Sequence, residues 1–317
     1  MESFSTMSRS PGWQWISLVI LLSHSRCLYA QDSFLKEQVD AALSLMTFTV
    51  TPDVTASNLS INSHASGPTE LMLTQLGGGA TMDDEVPIYL EGTLGFCRYD
   101  PKYVINEGGE SRTIPAKWNT LSASGGVGWD FPLAKNWVIR PMANVSLGTV
   151  ISDLRAADWY FDRQRSSPES DFLDNGRLNA YGLGGSLMLD YELFSPVQDV
   201  DAELRYSYIA LNSYGNTADI VSGQATAENI NLYLRRRAPT GWELLERPVR
   251  YVMEGARTEY LGDQRGVLGF NALNSLGLGL ELDSSKYDII ITRTRLVGRY
   301  MFGDNTQGYS VGLAVSF

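Results

Sequence analysis

Large apolar residues recur at every second position along most of this chain. Between Val86 and Tyr99, Leu90, Gly92, Leu94 and Phe96 share one face, and Glu91, Thr93, Gly95 and Cys97 share the other. Side chains of a strand point alternately to its two sides, so the pattern predicts strands with one apolar face and one small or polar face. Between Leu121 and Phe131, Leu121, Val127 and Trp129 oppose Ser122, Ser124 and Asp130. Trp137, Ile139, Val145 and Leu147 oppose Arg140, Asn144 and Ser146. The alternation continues from Tyr181 to Leu193 against Ser186, Asp190 and Glu192, and from Val200 to Tyr208 against Asp201, Glu203 and Arg205. Ile230, Leu232 and Leu234 oppose Tyr233, Arg235 and Arg237, and Leu276 to Leu282 oppose Ser275, Gly277, Gly279 and Glu281. Leu296, Tyr300 and Phe302 oppose Arg293, Arg295 and Arg299. Weaker strands are predicted at residues 56–63, 69–78 and 247–259.

The last strand is the clearest. Tyr309, Val311, Leu313, Val315 and Phe317 are large, and the residues between them are small. A soluble strand puts its apolar face inward and charges outward; a broad apolar face opposite a narrow polar one suits lipid outside and a crowded polar lumen inside. About twelve strands result, an even number as in bacterial single-chain barrels. Short turns are predicted at 132–136, 195–198, 238–241 and 283–285, and longer loops at 100–114, 151–176 and 212–226. In outer-membrane barrels the short turns are periplasmic and the long loops extracellular. The fold class expected is all-β, a transmembrane antiparallel barrel. Tyr99, Trp129, Trp137, Tyr191, Tyr206, Tyr208, Tyr300 and Tyr309 are assigned to its interfacial girdles.

One stretch breaks the pattern. At 33–46, Phe34, Leu35, Val39, Leu43 and Met46 recur at helical spacing behind a Ser33 cap, and Pro52 stops the segment. Upstream, Arg9, the apolar run from Trp13 to Leu22 and the small Ala30 read as a secretory signal peptide over residues 1–30. Residues 31–53 then hold the helix and a linker, and 54–317 the barrel. Cys27 sits in a poor lipobox, behind Arg26. With the leader removed, Cys97 is the single cysteine and no internal disulfide forms.

The net charge of −11 argues against nucleic acid as a partner. The inward faces nevertheless carry both signs: Glu91, Asp130, Asp190, Asp201, Glu203 and Glu281 with Arg140, Arg205, Arg235, Arg237, Arg293, Arg295 and Arg299. Such charges need partners, so the plain reading is a structural ion-pair network and the functional one a charge-selective pore. The 151–176 loop mixes Trp159, Tyr160 and Phe161 with several acids and reads either as a lid or as a partner-binding surface. Catalytic signals are weak. His64-Ala65-Ser66 resembles the His-x-Ser pair of an outer-membrane lipid A deacylase, without surrounding motif, and reads as a chance pair in a turn. A zinc site of two histidines is impossible with one mature histidine. The glycines at 182–185 and 277–279 continue strand alternation and precede no helix, so they are not nucleotide loops. No enzyme activity, metal or cofactor is expected.

A helix just before the first strand, about twelve strands and a terminal Phe317 resemble the translocator β-domain of autotransporters. The segments WVIRPMANVSLG (137–148) and GYSVGLAVSF (308–317) look like that family's later strands. The resemblance implies a lumenal helix, an outer-membrane location, and assembly by the barrel-assembly machinery through the signal Tyr309, Val311, Leu313, Val315 and Phe317. Few residues separate the cleavage point from the helix, so the resemblance is to a solitary translocator without passenger. A monomer in contact with outer-membrane lipid and lipopolysaccharide is expected, acting as a plugged pore or membrane scaffold. The alternatives are a surface-binding protein acting through its loops and, behind it, a lipid hydrolase.

Overall fold

The computed structural model describes residues 39–51, 58–63, 69–83, 85–100, 102–107, 110–115, 117–152, 177–215, 223–284, 293–304 and 306–316. The leader, Phe34, Leu35, His64, nearly all of the 151–176 loop and Phe317 lie outside them.

Helix α1 (39–50) is followed by β1 (Asn58–Ser63), β2 (Thr69–Thr81), β3 (Ile88–Asp100), β4 (Lys102–Glu107), β5 (Glu110–Pro115), β6 (Trp118–Trp129) and β7 (Phe131–Ala134). Then come β8 (Trp137–Ser152), β9 (Arg177–Phe194), β10 (Asp199–Tyr214), β11 (Gln224–Leu244) and β12 (Arg247–Gly262). The series ends with β13 (Ala272–Asp283), β14 (Arg293–Gly303) and β15 (Thr306–Ser316). Each long strand pairs antiparallel with its neighbours, β6 bridges β3 to β8, and β1 pairs with both β2 and β15. The ladder therefore runs round a ring of twelve strands, as the periodicity predicts. The short β7 is a continuation of β6 that pairs only with β8, and β4 with β5 forms a separate hairpin.

Ring closure is what hydrocarbon demands, because lipid offers no partner to a backbone N–H or C=O. The side chains divide accordingly. Leu276, Leu278 and Leu280 on β13, Leu296 and Tyr300 on β14, and Tyr309, Val311 and Leu313 on β15 all face outward. The intervening Ser275, Glu281, Val297, Arg299 and Ser310 are buried within the ring. Trp137 packs on Tyr191 at 4.9 Å and Tyr300 on Tyr309 at 5.4 Å, which stiffens the outer aromatic surface.

Several expectations change; the turn expected at 132–136 narrows to 135–136, because β7 runs to Ala134. The turn expected at 238–241 is strand: β11 continues to Leu244 through a register shift between Pro239 and Glu243, and the chain reverses at Leu245 and Glu246. Those two residues have φ of 54° and 60°, the left-handed pair that a two-residue hairpin needs. The 100–114 loop contains the β4–β5 hairpin. The 212–226 loop shortens, because β10 runs to Tyr214 and β11 begins at Gln224. Tyr99 leaves the girdle; it shares the inward face of Cys97 and packs inside the barrel.

The lipid face sets a clear test. Leu278 stands at mid-strand on the outer surface, so Leu278→Arg should lower unfolding stability in vesicles by about 2–4 kcal/mol. Leu245→Arg, at the exposed turn, should change it by under about 1 kcal/mol. Urea titrations of the two refolded variants compare them directly.

Candidate functional site

Helix α1 lies inside the ring. Val39, Ala42, Leu43, Met46 and Val50 are fully buried against Val150, Leu178, Ala180, Ile209, Leu211, Ala225 and Ala227 of β8 to β11. Its other side, Leu45 and Phe48, meets Leu71, Leu73, Cys97, Leu273 and Met301 from β2, β3, β13 and β14. A helix enclosed on all sides needs a matching surround, and this part of the lumen meets its apolar residues with apolar ones. Trp118 touches both halves of that collar. The wall is thinned where the helix comes closest: a Cβ on Gly95 would collide with the Thr49 carbonyl, and one on Gly148 with the Met46 thioether.

The C-terminal half of the helix has a sequence, Thr47-Phe48-Thr49-Val50-Thr51, that favours strand. It stays helical because the lumen encloses it, and its buried hydroxyls are satisfied by bonding back to the helix: Thr47 to the Ser44 carbonyl (2.5 Å), Thr49 to Met46 (2.8 Å) and Thr51 to Thr47 (2.9 Å). The last carbonyls of a helix have no intrahelical donor and are costly to bury bare. Here the barrel wall caps them. Gln75 Nε2 donates to the Phe48 carbonyl at 2.9 Å and to that of Thr51 at 3.2 Å. Ser122 Oγ donates to Thr49 O at 3.0 Å, and Gln264 Nε2 to Thr47 O at 3.1 Å. At the opposite end, Asp40 Oδ1 accepts the Gln224 backbone N–H at 3.0 Å.

Gln264 comes from the connection between β12 and β13, which folds inward. Gly262, Gly266 and Gly269 take positive φ there, and Leu268 and Phe270 turn into the barrel. Phe48, Tyr260 and Phe270 form a chain of rings at 5.1 and 5.7 Å from helix to connection.

Beyond the helix, towards the short-turn rim, the lumen is charged. Arg205 holds Glu91 with two contacts of 2.7 and 2.8 Å, and Asn144 donates to the same carboxylate at 2.9 Å. Arg140 bridges Asp130 and Asp190 while lying 3.9 Å over the Tyr89 ring. Arg235 meets Asp201 at 2.8 Å, and Arg237 lies within 3.5 Å of Asp199, Asp201 and Glu281. Arg299 grips Glu254 at 2.7 Å, with the Tyr233 hydroxyl donating to the same group at 2.8 Å. Arg295 stands 3.7 Å from Glu281 and 3.8 Å from Glu254. Most of the charges predicted to point inward thus meet in one layer. Arg293, at the rim end of β14, and Glu203 make no ion pair among the described residues. Glu203 instead lines a cavity of about 340 Å³ with Glu192, Arg235 and Arg295.

Sequence reading missed several of these residues. Asp199, Arg250 and Glu254 sit at strand ends or on the weakly patterned β12; Arg250 pairs with Asp199 at 2.7 Å. Gln75, Ser122 and Gln264 are neutral and carry no signal for a helix cap. The apolar collar was invisible because its strands, read as apolar outside and polar inside, are apolar on both sides at one end.

Residues 51–153 match the model of the autotransporter β-domain family. No curated protein matches the chain. Among solved structures, the β-domain of the Bordetella autotransporter BrkA is 13% identical, with 82% of this chain and 96% of that chain covered and a TM-score of 0.45. The translocator domain of NalP from Neisseria meningitidis is 13% identical over 82% of this chain and 86% of that one, at 0.42. The transport unit of AIDA-I from Escherichia coli is 13% identical over 89% and 98%, at 0.41.

Two outcomes follow from the site. Gln264→Leu removes the wall's bond to the Thr47 carbonyl, which keeps the Thr51 hydroxyl, so amide exchange over residues 39–51 should quicken by an amount equivalent to about 0.5–1.5 kcal/mol while strand amides hold. Arg205→Ala leaves Glu91 buried without its cation and should destabilise the barrel by about 3–5 kcal/mol in urea; Glu91→Leu combined with Arg205→Met should restore most of that loss.

Proposed function

We propose that this autotransporter-like β-barrel of the bacterial outer membrane is a translocation-type pore stopped by its own N-terminal helix. The observation that carries the reading is the burial of residues 42–51 on every side within the lumen, with their last carbonyls capped by the wall. A solute-filled channel would present polar groups to the stretch the helix occupies; here that stretch is an apolar collar.

The polarity of the helix supports the same reading. Asp40 meets Gln224 at the rim bearing the longer connections, and Thr51 meets Gln75 in the middle of β2. The N-terminal end of the helix thereby faces the extracellular mouth, the orientation that a segment exported through the lumen would have. Below the helix, the arginine–carboxylate layer serves as a second, polar constriction rather than as an open filter, since Arg299, Arg237 and Arg205 are engaged by carboxylates. A second reading, surface binding, draws on the β4–β5 hairpin, which forms a sheet of its own apart from the ring. On either reading the barrel-assembly machinery inserts it, and Tyr309, Val311 and Leu313, exposed on β15, supply the apolar face for that step.

Planar-bilayer recording decides. Refolded protein lacking residues 31–50 should carry steady current, and the same chain with the helix should be almost silent. Silence of both forms, with heat-modifiable gel mobility showing that each is folded, would sink the pore reading and favour the surface hairpin.

A further inference from the structure

Outside the lumen, on the outer wall at the rim of the longer connections, lies a recess of about 390 Å³. Two arginines from different elements converge on it: Arg257 from the outward face of β12, and Arg265 from the connection that follows β12. Asn274 of β13, Phe302 of β14, Glu259 and Asp304 also line it. Arg257 donates Nη1 to Asn274 Oδ1 at 3.0 Å and Nη2 to Glu259 Oε2 at 2.8 Å, which holds the guanidinium open to the outside with half its side chain exposed.

The position of this recess decides what fills it. Arg257, Asn274 and Phe302 are successive partners across β12, β13 and β14. Two residues along the same strands towards the other rim stand Leu276 and Tyr300, paired with each other on the lipid face. Two strand residues span about 7 Å, so the guanidinium lies just above the acyl belt, at the depth of lipid headgroups. A charged pair on the outer wall of a barrel is unfavourable against hydrocarbon and favourable against an anionic headgroup.

We propose that this recess seats the phosphorylated headgroup of an outer-leaflet lipid, the phosphate lying between Arg257 and Arg265 while its acyl chains run down over Leu276 and Tyr300. Guanidinium groups bind phosphate through paired, charge-assisted hydrogen bonds, and Phe302 adds an apolar lining residue. The recess as it stands is electroneutral, two arginines against Glu259 and Asp304. A phosphate entering it therefore competes with Glu259 for the Arg257 Nη2 donor.

The test uses the refolded chain in detergent, titrated with a bisphosphorylated glucosamine-disaccharide lipid, with bound lipid counted by native mass spectrometry. Arg257→Gln with Arg265→Gln should bind it at least about tenfold more weakly. The dephosphorylated lipid should bind the unaltered chain as weakly as the intact lipid binds the variant. Heat-modifiable mobility checks that the double variant is folded; if it is not, Arg265→Gln alone, on an exposed connection, should still weaken binding by about threefold. Unchanged affinity in the variants, or equal affinity for the dephosphorylated lipid, would overturn the proposal. Full displacement by inorganic phosphate would also overturn it, because the site would then recognise a free anion rather than a lipid.

Discussion

Everything in this structure depends on the pairing of β1 with β15. An open sheet of this size leaves two edges of unpaired N–H and C=O groups, which hydrocarbon cannot solvate. The seam made by residues 59–63 of β1 against 306–310 of β15 joins the first strand to the last. Once the ring is shut, inward side chains face a confined lumen and outward ones at membrane depth face lipid. The division of residues between the two surfaces follows from that closure, not from the usual rule that apolar groups go inside.

The lumen solves two packing problems at two depths. Around helix α1 the wall is apolar, with glycines at 95 and 148 where backbone or thioether comes close. Nearer the short-turn rim the wall is ionic, and arginines from β8, β10, β11, β12 and β14 share carboxylates across strands. Buried ion pairs add little net stability over well-packed apolar groups, because desolvation offsets their attraction. Their contribution is geometric: they hold the wall apart from itself where no helix fills it.

How much of this was legible in the sequence varied with the physics. Period-two alternation from Leu121 to Trp129 or from Leu276 to Leu282 gave faces that the structure reproduces residue by residue, because a ring exposed to lipid tolerates no slip in register. The exceptions share a cause, which is tertiary context overriding local preference. Pro239 and Gly241 look like a turn, yet β12 pairs alongside and carries β11 through a shift in register. Thr47 to Thr51 look like a strand, yet enclosure within the lumen keeps them helical, with their hydroxyls satisfied on the helix's own carbonyls. For the candidate site, charged positions on strongly alternating strands were legible. Gln75, Ser122 and Gln264 were not, since an uncharged cap on a distant carbonyl leaves no mark on the pattern around it.

The helix is joined to the wall it fills by the short chain between Thr51 and Asn58. A tether that short keeps the helix at a local concentration in the millimolar range or above, whatever its intrinsic affinity for the collar. Any other peptide offered to the lumen from solution therefore competes against a permanently present rival. Occupancy of the lumen is thus set by covalent attachment before the shape of its walls comes into play.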